Sequence, residues 1–245
     1  MLTLALDTTT RAGSLALVRG GRLLDEAEGD PALTHAARLP GAILEALARH
    51  RLTLADIDLY AVAVGPGSFT GLRIGIATIQ GLAFAHARLV AGISALDALA
   101  ESAGTAAGGG GGSPATLRAA WMDAQRGEIY ARLFEPAGPA WQPITEPAVD
   151  RPGAVLAAWA TRLQAASPVE FVGDGALAYR AQIDAHLGAR ARIVDPVPPL
   201  APAIAAMAER LAAAGQTVPP GAVRPLYVRR PDAELARDRK AASTP

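Results

Sequence analysis

Residues 59 to 87 carry the strongest constraint in this chain. A continuous apolar run, Leu59 to Val64, enters the glycine-rich segment Gly65-Pro66-Gly67-Ser68-Phe69-Thr70-Gly71, and a long helical pattern follows from about Thr70 to Ala87. An apolar run without alternation reads as a strand buried on both faces. Strand, glycine turn and helix in succession make an α/β unit, with the turn exposing backbone N–H groups at the start of the helix.

Two readings of that turn stay open from residue chemistry. A helix N-terminus attracts anions, so the segment could cradle phosphate. A P-loop, however, needs Lys followed by Ser or Thr after its last glycine, and Leu72-Arg73 stand there instead. The other reading is a loop whose glycines serve backbone geometry alone. The helix poses a second question, because Gly71, Gly75, Thr78 and Leu82 fall at i, i+4, i+7 and i+11, one face of a helix. Each glycine costs about 1 kcal/mol relative to alanine in a helix, which close approach of another backbone would offset. That neighbour is either the chain's own core or a partner.

Around this unit the chain alternates strands and helices. Leu2, Leu4 and Leu6 alternate with Thr3, Ala5 and Asp7, a strand signal. Ser14 to Val18 and Leu23 to Ala27, joined through Gly20-Gly21, form a hairpin, so a three-stranded meander opens the chain. Leu39, Ile43 and Leu47 recur at helical spacing, with Pro40 expected in the first turn. Thr53 to Asp56 resembles a capping box. Gly104 to Pro114, with glycine at 108 to 112, reads as a linker or loop. Beyond it, Leu117 to Met122, Glu128 to Phe134 and Val169 to Val172 read as strands. Val155 to Leu163 and Ala203 to Ala214 read as helices, with Gly215 closing the second. Gly173 to Ala176 reads as a turn. These elements divide the chain into an N-terminal lobe (1–103), the glycine-rich segment (104–114), a C-terminal lobe (115–223) and a tail (224–245).

Composition narrows the function. Lys plus Arg and Asp plus Glu both number 23, so no basic excess favours nucleic acid, and aromatic residues are only 4%. The absence of cysteine excludes disulfides, thiolate metal sites and cysteine nucleophiles, and fits a cytoplasmic location. The most apolar stretch, the 14 residues between Arg73 and Arg88, falls short of the roughly 20 that a spanning helix needs. It reads as a buried helix, and no membrane association is expected. No two of His35, His50, His86 and His186 have metal-ligand spacing on one helix. Asp7-Thr8-Thr9 after the first strand could hold a nucleotide's hydrated metal and phosphate; a turn carboxylate is the plainer reading. No nucleophile–base–orienter set is recognisable, so no catalytic or metal residue is assigned.

Several segments together resemble one family. Ala61 to Val64 followed by GPGSFTGLRIGIATIQGLA resembles the signature of the TsaB (YeaZ) family. LALDTTT resembles its opening strand and turn. His35 to Pro40 resembles its H-[ST]-x-x-L-[LI]-P segment. DAQRGEIY (Asp123 to Tyr130) is similar to D-A-R-x-G-E-V-Y with Gln125 in place of arginine, and GDGA (Gly173 to Ala176) and PLYVR (Pro225 to Arg229) also fit.

The resemblance implies an α/β fold of the actin-like ATPase (ASKHA) type, two similar lobes with mixed sheets flanked by helices. It implies a non-catalytic subunit for the N6-threonylcarbamoyladenosine modification next to the tRNA anticodon. Its implied partners are the catalytic paralogue TsaD and the ATPase TsaE, with TsaC supplying the threonylcarbamoyl-adenylate; a homodimer stays open. The chain would meet tRNA only through the complex. No tightly bound cofactor is implied, although ATP or ADP at the complex interface stays open. The histidine pair of the paralogue's metal motif would fall on Ala95 and Leu99, neither of which binds metal. His35, Leu39, Ile43 and Leu47 on one helix and Gly71, Gly75, Thr78 and Leu82 on the next are the expected partner surface. The alternatives are a nucleotide-binding phosphotransferase or ATPase using Asp7, Thr8 and Thr9, and a metallo-glycopeptidase-like protein.

Overall fold

A computed structural model describes residues 1–106, 117–138 and 140–229. Its first sheet contains β1 (Leu2–Asp7), β2 (Ser14–Arg19), β3 (Arg22–Glu28), β4 (Leu59–Gly65) and β5 (Leu89–Ser94), in the order β3-β2-β1-β4-β5. β1, β2 and β3 run antiparallel as a meander, and β1, β4 and β5 run parallel. The second sheet contains β6 (Leu117–Asp123), β7 (Ile129–Ala137), β8 (Ala140–Pro143), β10 (Val169–Val172) and β11 (Ala191–Ile193), in the order β11-β10-β6-β7-β8, while β9 (Ala148–Asp150) also pairs with β7. Again the first strand of the meander joins the antiparallel strands on one side to the parallel strands on the other. The two lobes therefore repeat one topology without a residue-level repeat.

Three layers of helix separate and cover these sheets. Helices α1 (His35–Arg49) and α2 (Phe69–Ala85) cover the outer face of the first sheet, over Leu4, Leu6, Leu17, Tyr60 and Val62. Helices α4 (Pro152–Ala158), α5 (Ala160–Ala165), α6 (Asp174–Ala178) and α7 (Arg180–Leu187) cover the outer face of the second, around Trp121 and Phe171. Helices α3 (Ala95–Ala106) and α8 (Ala201–Ala213) fill the space between the sheets. There the inward-facing residues are mostly small, including Ala5, Ala16, Ala61, Ala63 and Ala91, so two alanine-rich helices can lie close to both sheets. The alternation in β1 marks which sheet face a residue takes, not exposure. Leu4 and Leu6 point out toward α1 and α2, Ala5 points in, and even Thr3 is fully buried.

Several boundaries differ from the sequence reading. Helix α1 starts at His35, capped by Thr34, so Pro40 lies inside it rather than in its first turn. Pro40 is on the exposed side, where water can satisfy the carbonyl its ring leaves free. The helix expected over 155–163 is two helices that meet at Trp159, whose ring turns inward to within 6.5 Å of the Trp121 ring. Gly173 to Ala176 is not a free turn, since α6 begins at Asp174. Helix α8 begins two residues early, and Gly215 closes it in the left-handed region at φ 69°. Helix α3 runs through 104–106, and the rest of the glycine-rich segment lies outside the described residues. Helix α8, within the stretch read as the C-terminal lobe, packs on β1 and β2 of the first sheet although it follows the second in sequence. No helix among the described residues is long and apolar enough to cross a membrane.

Candidate functional site: the inter-lobe cleft and the outer helix pair

The glycine turn is built against the loop that follows β1. A Cβ on Gly67 would stand 2.5 Å from Thr9 Cβ, one on Gly71 2.1 Å from the Thr8 carbonyl oxygen, and one on Gly75 2.2 Å from Thr8 Oγ1. Gly65, at φ 114°, would bring a Cβ within 2.6 Å of the Leu226 carbonyl oxygen. Four of the segment's glycines thus admit close backbone approaches within this chain. Two N–H groups of the turn are also engaged: Ser68 N donates to Thr9 O at 2.9 Å, and Gly71 N to the capping Ser68 Oγ at 3.2 Å. That decides the question raised by the glycine stripe. Gly71 and Gly75 face internal packing against the loop after β1.

The nucleotide residues expected from the sequence are likewise turned inward. Asp7 is buried and its Oδ1 accepts from Thr9 N at 2.8 Å and Thr9 Oγ1 at 2.6 Å, while Thr10 Oγ1 lies 3.4 Å from Oδ2. Burial raises the Asp7 pKa above its usual 3.8, against the pull of the Thr9 and Thr10 hydrogen bonds, and Asp174 raises it further. Thr8 is completely buried against α2. Thr8 is thus internal, whereas Asp7 lines a cavity of about 340 Å³ together with Thr10 and Asp174, and Thr9 lines the larger cleft beside it.

That cleft separates the lobes and encloses about 900 Å³. Thr10, Arg11, Ser68, Gln125, Asp174 and Tyr227 are among the residues that line it. Asp174 opens onto it, and its Oδ1 accepts from Asp123 N at 2.9 Å and Gly175 N at 2.8 Å. The surrounding protein raises the Asp174 pKa despite these bonds, with Asp123 adding to the effect. Gln125 closes onto Asp123, donating from its backbone N at 2.9 Å and its Nε2 at 2.7 Å.

His35 and Arg38 of α1 fasten the loop after β1. Arg38 donates to Ala12 O and, at 2.7 Å, to His35 Nδ1. The opposite ring nitrogen, Nε2, then carries the proton and donates to Thr10 O at 3.1 Å. Desolvation and the neighbouring Arg38 lower the His35 pKa, which keeps the ring neutral. His35 is thus a structural staple in this chain.

The other expected interface residues divide by burial. Leu39, Ile43 and Leu47 are buried between α1 and the first sheet. Thr78 is half-buried, its Oγ1 bonded to Ile74 O at 2.8 Å, and Leu82 packs partly into the same core. A side chain spent on the chain's own core is not free to meet a partner. The opposite faces of the same helices are apolar and open: Leu44 is 57% exposed and Phe84 82%. Gly41 and Gly81 lie nearby in sequence with open space where a side chain would stand. The sequence reading passed over Leu44 and Phe84. The signal was an apolar residue on the polar side of each helical repeat.

Ala95 and Leu99, where the resemblance would put the paralogue's metal motif, are buried at the start of α3. Among the described residues no three His, Asp or Glu side chains come together in a group that could hold a metal ion.

Comparison with known proteins places this architecture. Residues 31–237 match the family model described as TsaD: tRNA N6-adenosine threonylcarbamoyltransferase. TsaB from Escherichia coli, named as a tRNA threonylcarbamoyladenosine biosynthesis protein, is 38% identical over 130 residues, covering 53% of each chain. The matched stretch is thus about half the length of that relative. The solved structure of YeaZ from Pseudomonas aeruginosa is 30% identical, with a TM-score of 0.75 over 92% of this chain and 99% of that one. Component A of (R)-2-hydroxyglutaryl-CoA dehydratase from Acidaminococcus fermentans, 12% identical with a TM-score of 0.51 over 87% of this chain and 99% of its own, shares the fold alone. The two mixed sheets with their flanking helices are an actin-like ATPase fold. By the match to the Pseudomonas YeaZ structure over 92% of this chain and the likeness to Escherichia coli TsaB, this chain belongs to the TsaB (YeaZ) family.

Proposed function

We propose that this chain is a non-catalytic partner subunit in the biosynthesis of N6-threonylcarbamoyladenosine in tRNA, acting in the cytoplasm by pairing with the catalytic paralogue TsaD. The observation that carries this reading is the open apolar strip on α1 and α2, with Leu44 and Phe84 exposed between small residues. Exposed large apolar side chains flanked by glycine suit close packing of another helix pair. A paralogue of the same fold would present such a pair, and so would a second copy of this chain, which is the competing homodimer. TsaE joins the assembled pair, and any ATP or ADP sits at the interface of the complex. tRNA is met through the complex, in keeping with a net charge of zero.

Two features support the absence of chemistry in this subunit. Alanine and leucine occupy the metal-motif positions. The Asp7 carboxylate that a phosphotransferase would aim at hydrated metal instead accepts hydrogen bonds from Thr9 and Thr10. The test is a pull-down with TsaD using Phe84→Asp beside the wild type. Buried aromatic anchors at interfaces contribute about 2 kcal/mol or more, so binding should weaken roughly thirtyfold or more while the melting temperature stays near the wild-type value. Unchanged binding by a folded Phe84→Asp would place the interface elsewhere.

A further inference from the structure

We infer that Tyr227 and Arg229 couple the docking helix α2 to the inter-lobe cleft, so that a partner seated on α2 sets the position of the β6–β7 hairpin. This rests on the partner reading above and adds a route by which docking acts on the second lobe. After α8 the chain returns along the first lobe. Val218 and Val90 exchange backbone hydrogen bonds at 2.9 Å, and Gln80 Nε2 of α2 donates to Pro220 O at 2.9 Å and Val223 O at 3.2 Å. Leu226 N then donates to Val64 O at 2.6 Å, passing directly over Gly65.

From there three residues span the two lobes. The Tyr227 ring stacks on Phe69 of α2 with centroids 5.3 Å apart, and its hydroxyl accepts from Arg73 Nε at 3.3 Å. Arg73 in turn places its guanidinium 4.1 Å from the centre of the Phe69 ring. Two residues on, Arg229 reaches the second lobe, donating to Ala124 O at 2.8 Å and to the Glu128 carboxylate. The hairpin it grips is conformationally strained. Gln125, Arg126 and Gly127 follow one another at φ 62°, 60° and 79°. Left-handed backbone costs a non-glycine residue about 1–2 kcal/mol, and the contacts of Asp123 and Arg229 add to the backbone hydrogen bonds between Ala124 and Glu128 and between Glu128 and Gln125 that hold this turn.

The contact on α2 lies on its docking face. Phe69, Arg73, Ala77, Gly81 and Phe84 are all exposed along one side of the helix. Phe69 and Tyr227, at 40% and 37% exposure, close the end of that strip nearest the cleft. An apolar partner helix lying along Phe84 and Ala77 meets Phe69 and Tyr227 next, and any preference it has for one position of Tyr227 passes to the hairpin through Arg229. Differential contact of this kind is what coupling between two sites requires.

Hydrogen exchange on the whole chain, alone and with TsaD bound, tests the coupling. In the wild type, docking should slow exchange of the amides at 123–129 about fivefold or more, the lower end of ordinary coupling energies. In Tyr227→Ala, α2 should still be protected by the partner while the hairpin no longer responds. Arg229→Gln is the second variant, since it leaves Tyr227 on Phe69 and cuts the link on the cleft side; it should give the same pattern. A hairpin that ignores the partner in the wild type, or responds equally in both variants, overturns the inference while leaving the partner reading intact. Absence of protection on α2 itself overturns both.

Discussion

The hydroxyl of Thr8 occupies the space beside Gly75 so closely that a Cβ there would lie 2.2 Å from it. The glycine stripe on α2 is therefore a groove that receives the loop after β1. Gly75→Ala should lower the stability of the isolated chain by about 1–3 kcal/mol through overpacking. For a chain of this size that is a fall in melting temperature of about 2–4 °C per kcal/mol. Gly75→Leu should prevent stable folding. Because the Thr8 side chain is the obstacle, Thr8→Ala in the Gly75→Ala background should recover part of the loss, whereas independent effects would simply add. Thermal melts of the four proteins read this out, and a Gly75→Ala melt equal to wild type contradicts the close approach.

Asp7 gives a pH dependence with a definite sign. Its folded-state pKa lies above 3.8 because burial disfavours the charged form. A raised carboxyl pKa contributes stability that is complete below the unfolded value and is lost as pH rises through the folded one. Asn at this position keeps an acceptor for Thr9 but has no proton to lose. The melting temperature of Asp7→Asn minus that of wild type should therefore increase between pH 4 and pH 8. A flat or decreasing difference contradicts the assignment.

Glu170 is the buried centre of an ion network in the second lobe. Its Oε1 and Oε2 each lie 2.5 Å from a guanidinium nitrogen, of Arg118 and Arg192 respectively, and Arg118 is itself buried, donating to Ala100 O. Glu170→Ala strands the Arg118 charge between α3 and the sheet and should cost about 3–5 kcal/mol, read as a lowered urea midpoint. Replacing Arg118 and Glu170 together, by Met and Leu, should cost much less. Equal losses for the single and double variants would contradict the pairing.

The parts legible in the sequence were those with a strong local signal. Gly20-Gly21 announced the hairpin, the glycine turn announced the β4–α2 unit, and the short motifs carried the family. What stayed hidden depended on distant contacts. Helix α3 is alanine-rich, and its place between the two sheets rests on contacts with strands far away in sequence. Nothing local indicates that α8 returns to the first sheet. The stripe Gly71–Gly75 could be seen, but its neighbour, Thr8, lies more than 60 residues away in sequence. Leu39, Ile43 and Leu47 follow the helical period because they face the core. The exposed apolar residues of the same helices, Leu44 and Phe84, interrupt that period. The glycine block at 108–112 and the tail beyond 229 lie outside the described residues.

Reconstituted tRNA modification tests the central proposal most directly. TsaD, TsaE and TsaC are supplied with tRNA, ATP, threonine and bicarbonate, and N6-threonylcarbamoyladenosine is measured with no added subunit, with this chain, or with Phe84→Asp. Product should form only when the wild-type chain is present, and roughly thirtyfold less with Phe84→Asp at subsaturating concentration, despite its wild-type melting temperature. No product should form from this chain when TsaD is left out. Equal product without the chain, or threonylcarbamoyl transfer by the chain in the absence of TsaD, would contradict the assignment of a non-catalytic partner subunit.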